Sequence, residues 1–154
     1  LPTSRKEIVK EKFILAISAT ILGGILGLAL TIIVANVMNY IRPEDIINID
    51  YESLITTTIG GMWGISLIQA IQIPSMYKWG AEKGRIQMFV LVFALIVIIA
   101  GAGFLIMKTG FNIDIQQVNN IMNKYGLIML AVSMIIMYYI SYKISYKIYS
   151  NKEE

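Results

Sequence analysis

Three polar or helix-breaking residues lie close together in a long apolar run: Gln69, Gln72 and Pro74. Proline has no amide hydrogen, so inside a helix it leaves the carbonyl four residues earlier without a donor and can kink the helix. A nearby glutamine side chain can supply that donor. We therefore predict a kink that the two glutamines stabilise. A gate or substrate contact at the same place is the alternative.

A second group of chemically capable residues begins the sequence, LPTSRKEIVKEKF. Ser4 and Glu7 have the spacing of a capping box, in which the serine hydroxyl accepts from the third helical amide and the glutamate accepts from the cap amide. Pro2 keeps the preceding chain extended. The pattern predicts a helix that starts at about Arg5. A basic anchor at the membrane surface is the simplest interpretation, although an anchor requires no cap.

Several classes of chemistry are excluded. The chain has no cysteine and no histidine, which removes disulfides, thiolate chemistry and Cys/His metal sites. It has no G-x-x-x-x-G-K-[ST] phosphate loop and no H-E-x-x-H or G-x-S-x-G hydrolase motif. We expect a protein that is not an enzyme and binds no cofactor or metal by itself, with any energy supplied from outside the chain.

The elements that position these residues follow from the distribution of charge. Four uncharged runs contain 29, 25, 22 and 18 residues: 13–41, 53–77, 86–107 and 125–142. A helix needs about 20 residues to cross a hydrocarbon core of ~30 Å. The runs are continuous rather than alternating, so they predict helices and not barrel strands. A soluble bundle would show a polar face on each helix.

The fold class predicted is therefore all-α, a polytopic helical membrane protein with a single transmembrane domain over residues 1–154. The runs contain no Asp, Glu, Lys or Arg, which argues against a proton or sodium relay at membrane depth. The predicted spans are four: about 13–38, 54–77, 86–107 and 125–142.

Orientation follows from the basic residues, because cytoplasmic loops carry an excess of Lys and Arg. Ten of the 13 basic residues lie in three segments. The predicted cytoplasmic segments are 1–12, 78–85 and the tail 143–154, so both ends of the chain lie on that side. The net charge of +3 thus reflects topology, and we expect the lipid bilayer as partner and no nucleic acid.

Small residues recur every four positions in the first two runs. These ridges let membrane helices approach closely. We expect them to pack helices within the chain, with a subunit interface as the alternative. The ridge residues are Ala19, Gly23, Gly27, Thr31, Gly60 and Gly64.

Two further short helices are predicted outside the spans. Asp114 resembles an N-cap, and the apolar residues after it fall on one face, which predicts a short outer amphipathic helix before the last span. Pro43 with Glu44 and Asp45 predicts a short helical start in the first outer loop.

Three segments resemble one family, the small ABC-2 type transporter permeases. The start LPTSRKEIVKEKF resembles the family's L-P-x-S-R-x-E-I segment, and YKWGAEKGR at 77–85 resembles its K-[FW]-G-x-E-K-G-R loop. The ending ISYKISYKIYSNKEE is similar to the family's tails. The resemblance implies that these four spans are helices 3–6 of a six-helix permease, with the first two helices absent from this sequence.

The resemblance also implies a function: the membrane-spanning permease subunit of a bacterial cell-membrane exporter, which forms the translocation path. A separate ATP-binding cassette subunit would bind ATP and magnesium, and a second permease subunit would complete a homodimer or heterodimer. The residues it assigns to coupling with the ATPase are Pro2, Ser4, Arg5, Lys6, Glu7 and Ile8. A possible second cytoplasmic contact comprises Lys78, Gly80, Glu82, Lys83, Gly84 and Arg85.

Two other functions remain open. One is a non-transporting membrane protein, such as an immunity or sensor component, that binds a partner. The other is an ion-independent pore, which would need a polar stripe along a whole span. Peptides, lipids, drugs and bacteriocins all fit as cargo of an exporter.

Overall fold

The computed structural model describes residues 4–110, 112 and 114–152, and it is all-helical over that part of the chain. Its helices are α1 (Arg5–Ile41), α2 (Tyr51–Thr109) and α3 (Ile115–Asn151). All three are long and apolar enough to cross a membrane. The predicted all-α fold is therefore confirmed, whereas four spans plus an outer helix are not: the described chain forms three helices.

A sharp bend at Gly80 interrupts α2, so this helix of 59 residues is not one straight rod. Gly80 has φ 82° and ψ 173°, a conformation outside the helical region that glycine adopts readily because it lacks a Cβ. A Cβ on Gly84 would lie 2.9 Å from the Cα of Met76. In a straight helix residues eight apart are separated by about 12 Å, so the chain folds back on itself at this point.

The two short helices predicted in the outer loops do not form as separate elements. Asp114 does cap a helix, since its side chain accepts from the amide of Gln116 at 3.1 Å, but that helix is α3 and runs unbroken to Asn151. No proline interrupts it. Residues 43–45 form only a turn, closed by the Asp45 amide donating to the Arg42 carbonyl at 3.2 Å.

The helices pack through small hydroxyl residues more than through large apolar ones. Among the described residues the buried polar side chains are Thr20, Ser66, Ser75, Ser141 and Ser145, against the apolar Val9, Phe13 and Ala35. Large apolar side chains are exposed along all three helices. This distribution fits a chain surrounded by lipid, where small residues allow close helix contact and apolar surface needs no burial.

The contact face of α1 lies one residue away from the small-residue ridge. Thr20 is buried, and a Cβ on Gly24 would lie 2.5 Å from the sulfur of Met62 in α2. By contrast, nothing lies within 4 Å of a Cβ built on Gly23 or Gly27. Each residue turns about 100° around a helix, so a shift of one position moves the ridge out of the contact.

The second ridge behaves in the same way, since nothing lies within 4 Å of a Cβ on Gly60 or Gly64. Ala19 and Thr31 are also exposed. The glycines of the two ridges therefore form no close contact within the chain at their Cβ positions, and packing within the chain stays a prediction. The alternative, an interface with another subunit, stays a prediction.

The part of α2 after the bend is the least enclosed segment. Between residues 89 and 109 every side chain is exposed or half-buried, and Gly84 is the last buried residue of the helix. The first part of α2 and α3 instead lie together along much of their length, and they form the polar contacts described next.

Candidate functional site

The Pro74 region is the first part of the site. Pro74 lies inside α2 and cannot supply the amide that the Ala70 carbonyl would normally accept. That oxygen accepts instead from the Ser141 hydroxyl of α3, at 2.7 Å. The predicted role of the glutamines in satisfying this carbonyl is therefore wrong. A serine from the neighbouring helix does it, and this fixes the position of α3 against the proline.

Gln69 has a different role: it is the centre of a polar cluster that joins all three helices. Its side-chain oxygen accepts from the Tyr138 hydroxyl of α3 at 2.6 Å and from the Thr20 hydroxyl of α1 at 3.1 Å. The Tyr138 hydroxyl also lies 3.1 Å from the Ser66 hydroxyl of α2. Gln72 is half-buried and takes no part in these hydrogen bonds.

Backbone contacts complete the cluster. The hydroxyls of Thr20 and Ser66 lie 2.9 and 2.7 Å from the carbonyls of Ala16 and Met62, one turn earlier in their helices. About one turn before Ser66 in α2, the indole nitrogen of Trp63 donates to the Ser133 hydroxyl of α3 at 2.9 Å. Because polar groups in a low-dielectric interior are costly when unpaired, this network favours one register between the helices.

Sequence reasoning identified Gln69 and missed its partners. Thr20, Ser66 and Tyr138 lie in three different apolar runs, and no local spacing connects them. The available signal was that each is a hydrogen-bonding residue at a depth where lipid offers no partner, which requires a partner on another helix. The cluster contains no carboxylate or amine side chain, and its hydroxyls donate within the chain.

The basic segments form the second part of the site, because the structure brings all three to one end of the molecule. The Arg5 guanidinium at the start of α1 donates to the Ser150 carbonyl at the end of α3, at 2.9 Å. The Lys152 ammonium donates to the Tyr77 carbonyl just before the bend in α2, at 2.9 Å. The Lys12 ammonium lies over the Tyr77 ring at 5.5 Å.

The predicted capping box is confirmed. The Glu7 amide donates to the Ser4 hydroxyl at 3.3 Å, and the Ser4 amide donates to the Glu7 carboxylate at 3.1 Å. Lys6 is exposed and Ile8 is half-buried beside the buried Val9. Pro2 lies outside the described residues.

The predicted second contact surrounds the bend in α2. Gly80 supplies the non-helical backbone and Gly84 the close approach. The charged residues are exposed: Lys78, Glu82, Lys83 and Arg85. Lys78 lies over the Trp79 ring at 4.7 Å. The two glycines therefore have a structural role in forming the loop, whatever the loop contacts.

Among the described residues there is no group of three or more Asp, Glu, Cys or His side chains that could hold a metal ion. The site therefore has two parts. The three apolar helices share a polar cluster around Gln69, and at one end of the molecule charged residues and the capped start of α1 lie together.

The sequence model of a family described as ABC-2 family transporter protein matches residues 1–150. No curated protein and no solved structure matched the chain.

Proposed function

The chain belongs to the ABC-2 family of transporter proteins, and from this premise we propose that it is the permease subunit of an exporter. It forms the translocation path, and a separate ATP-binding subunit drives it. The observation that carries the proposal is the extent of the family match, which covers residues 1–150 of 154. A multi-pass membrane protein with a transport-related role follows from the family and the apolar helices.

The basic end supports the proposed coupling to the ATP-binding subunit. Three segments that are distant in sequence contact one another there, through Arg5 with Ser150 and Lys152 with Tyr77. A partner that moves the start of α1 would therefore also move the end of α3 and the bend in α2. The partner supplies ATP and magnesium, because this sequence contains no phosphate loop.

Four crossings of the cell membrane fit this proposal better than three. A straight helix of 59 residues would be about 88 Å long, roughly three times the hydrocarbon thickness of ~30 Å. The bend at Gly80 divides α2 into two arms that contain the apolar ranges 54–77 and 86–107. With both arms crossing, the ends of the chain and the bend lie on the cytoplasmic side.

A second permease subunit is part of the proposal. The glycine ridges, with nothing within 4 Å of a Cβ built on their glycines, and the open arm after the bend are surfaces on which another subunit can pack. Small residues favour such contacts in membranes.

Reconstitution tests the proposal. The full-length permease is purified with its cassette subunit, and permease-dependent ATP hydrolysis is measured for Ser4→Ala, Glu7→Ala, Arg5→Glu and Lys6→Glu combined. The two cap changes cost on the order of 1 kcal/mol each in local helix stability. We expect normal membrane insertion, weaker cassette pull-down and lost coupling.

The matched control is Lys108→Glu with Lys124→Glu, which reverses two charges at the opposite end and should leave coupling intact. If no ATPase co-purifies and the quadruple variant behaves as wild type, the chain is a non-transporting membrane protein that binds another partner, and the proposal fails.

A further inference from the structure

A groove of about 660 Å³ runs between α1 and α3, with α2 beneath it. Ligand sites in proteins have volumes of about 300–1,000 Å³ and mostly apolar linings, so the groove has the size of a ligand site. Its lining is apolar and aromatic except at one end and at parts of its floor: Lys6, Lys10, Phe13, Ile17, Thr20, Ile21, Met62, Ser66, Ala131, Met134, Ile135, Tyr138, Tyr139 and Tyr142.

The floor of the groove offers an occupant only apolar contact. Its polar side chains already have partners, because Thr20 and Tyr138 contact Gln69 and Ser66 contacts the Met62 carbonyl. A ligand that accepts hydrogen bonds would have to compete with these partners for the hydroxyl hydrogens. The interior of the groove therefore suits a hydrocarbon.

Aromatic contacts hold the wall of the groove in a fixed shape. The Phe13 ring meets Tyr138 edge-on at 6.5 Å and Tyr142 edge-on at 5.7 Å. Phe13 itself is only 5% exposed. A wall held in this way is formed before any ligand binds, which reduces the entropy that binding must overcome.

One end of the groove is basic. Lys6 and Lys10 lie one turn apart on the same face of α1, both are exposed, and both line the groove. Among the described residues neither has an ion-pair partner. From Lys6 to Ile21 the helix rises about 22 Å, which is comparable to an extended acyl chain. The occupant that fits has an anionic end and a long apolar chain that lies in the groove.

We propose that the groove binds an anionic phospholipid, with an acyl chain between α1 and α3 and the phosphate at Lys6 and Lys10. The groove opens sideways to the surface of the chain, where Ile21 and Ile135 are 47% and 69% exposed, so a lipid can enter from the bilayer. Its basic end is the end predicted to face the cytoplasm, where anionic lipids attract Lys and Arg. The inference does not depend on transport.

Native mass spectrometry of the full-length chain in detergent tests this site. The probes are phosphatidylglycerol, phosphatidylcholine with the same acyl chains, and glycerol phosphate as a headgroup without a chain. We expect phosphatidylglycerol to bind about tenfold more tightly than phosphatidylcholine, and glycerol phosphate not to bind. Lys6→Gln with Lys10→Gln should remove the preference. Lys83→Gln with Lys147→Gln, which removes two exposed charges outside the groove, should keep it.

A second pair of variants tests the tail. Ala131→Trp fills the groove and should abolish binding of both phospholipids, whereas Val132→Trp, on the next residue outside the lining, should not. If Ala131→Trp fails to fold, Ile21→Trp at the rim is used to fill the groove instead. Equal affinity for the two phospholipids, or binding that survives groove filling, overturns the proposal. The proposal is also overturned if the groove binds no lipid because another segment or a second copy of the chain covers it.

Discussion

The Ser141 hydroxyl of α3 donates to the Ala70 carbonyl of α2 at 2.7 Å, and this carbonyl is the one that Pro74 leaves without its amide donor. The proline in one helix is thus matched by a serine in another. Ser141 is 3% exposed, so water does not replace it easily. This hydrogen bond fixes the position of α3 beside the part of α2 that precedes the bend at Gly80.

Ser141→Ala should destabilise the protein by about 1 kcal/mol, the range measured for hydrogen bonds between membrane helices. Pro74→Ala restores an amide that can donate to Ala70, so Ser141→Ala should cost less than half as much in that background. The free energy of unfolding is measured in a denaturing detergent for the wild type, the two single variants and the double variant. The difference between the two costs of Ser141→Ala is the coupling energy of the pair. Ser18→Ala, at an exposed position of α1, is the control and should change nothing. Equal costs in both backgrounds would contradict the pairing.

The two capping signals were read correctly from the sequence, the helical start predicted at Pro43 was not, and contacts that depend on a second helix were missed. Ser4 with Glu7, and Asp114 with its following amides, form caps as predicted because each cap involves residues two or three positions apart. The partner of the Ala70 carbonyl is 71 residues away. Spacing within one run cannot identify such a partner.

The number of helices was likewise predicted only in part from the sequence. Uncharged length predicts which segments are apolar, and the break predicted at 78–85 falls where Gly80 leaves the helical conformation. The continuity of α3 from Ile115 into the last apolar run depends on backbone conformation, and no proline interrupts that segment. In α1 the close contacts involve Thr20 and Gly24, one residue away from the predicted ridge. Which face of α1 meets α2 depends on the side chains of α2, and the spacing of residues within α1 does not show this.

Gly84→Ala should lower the thermal unfolding temperature, because the new methyl group would lie 2.9 Å from the backbone of Met76. Overpacking of this kind costs about 1–3 kcal/mol, and backbone cannot move aside as a side chain can. Gly101→Ala is the matched control: nothing lies within 4 Å of that position, and alanine is the better helix former. Its unfolding temperature should be unchanged or slightly higher. Two equal shifts would mean that the close approach at Gly84 does not exist.

Gly24→Leu and Gly27→Leu should differ in what they disrupt. At Gly24 the side chain would displace Met62, so we expect a loss of folding stability. At Gly27 there is open space, so folding should be unaffected and association with a second permease subunit should weaken. Thermal unfolding in detergent reports the first effect, and energy transfer between labelled copies in liposomes reports the second. An equal loss of stability for the two variants would place the ridge inside the chain after all.

Single cysteines test the topology, and the absence of native cysteine makes the experiment direct. Ser4, Asn48, Ala81, Asn119 and Asn151 are all exposed, so each should react when a reagent reaches it. On intact cells a membrane-impermeant thiol reagent should label only positions 48 and 119, because ten of the 13 basic residues lie in the other three segments. Permeabilised cells should label all five, which is the control for reactivity. Labelling of position 81 on intact cells would mean that the bend of α2 faces outward, and that its two arms do not cross the membrane as proposed.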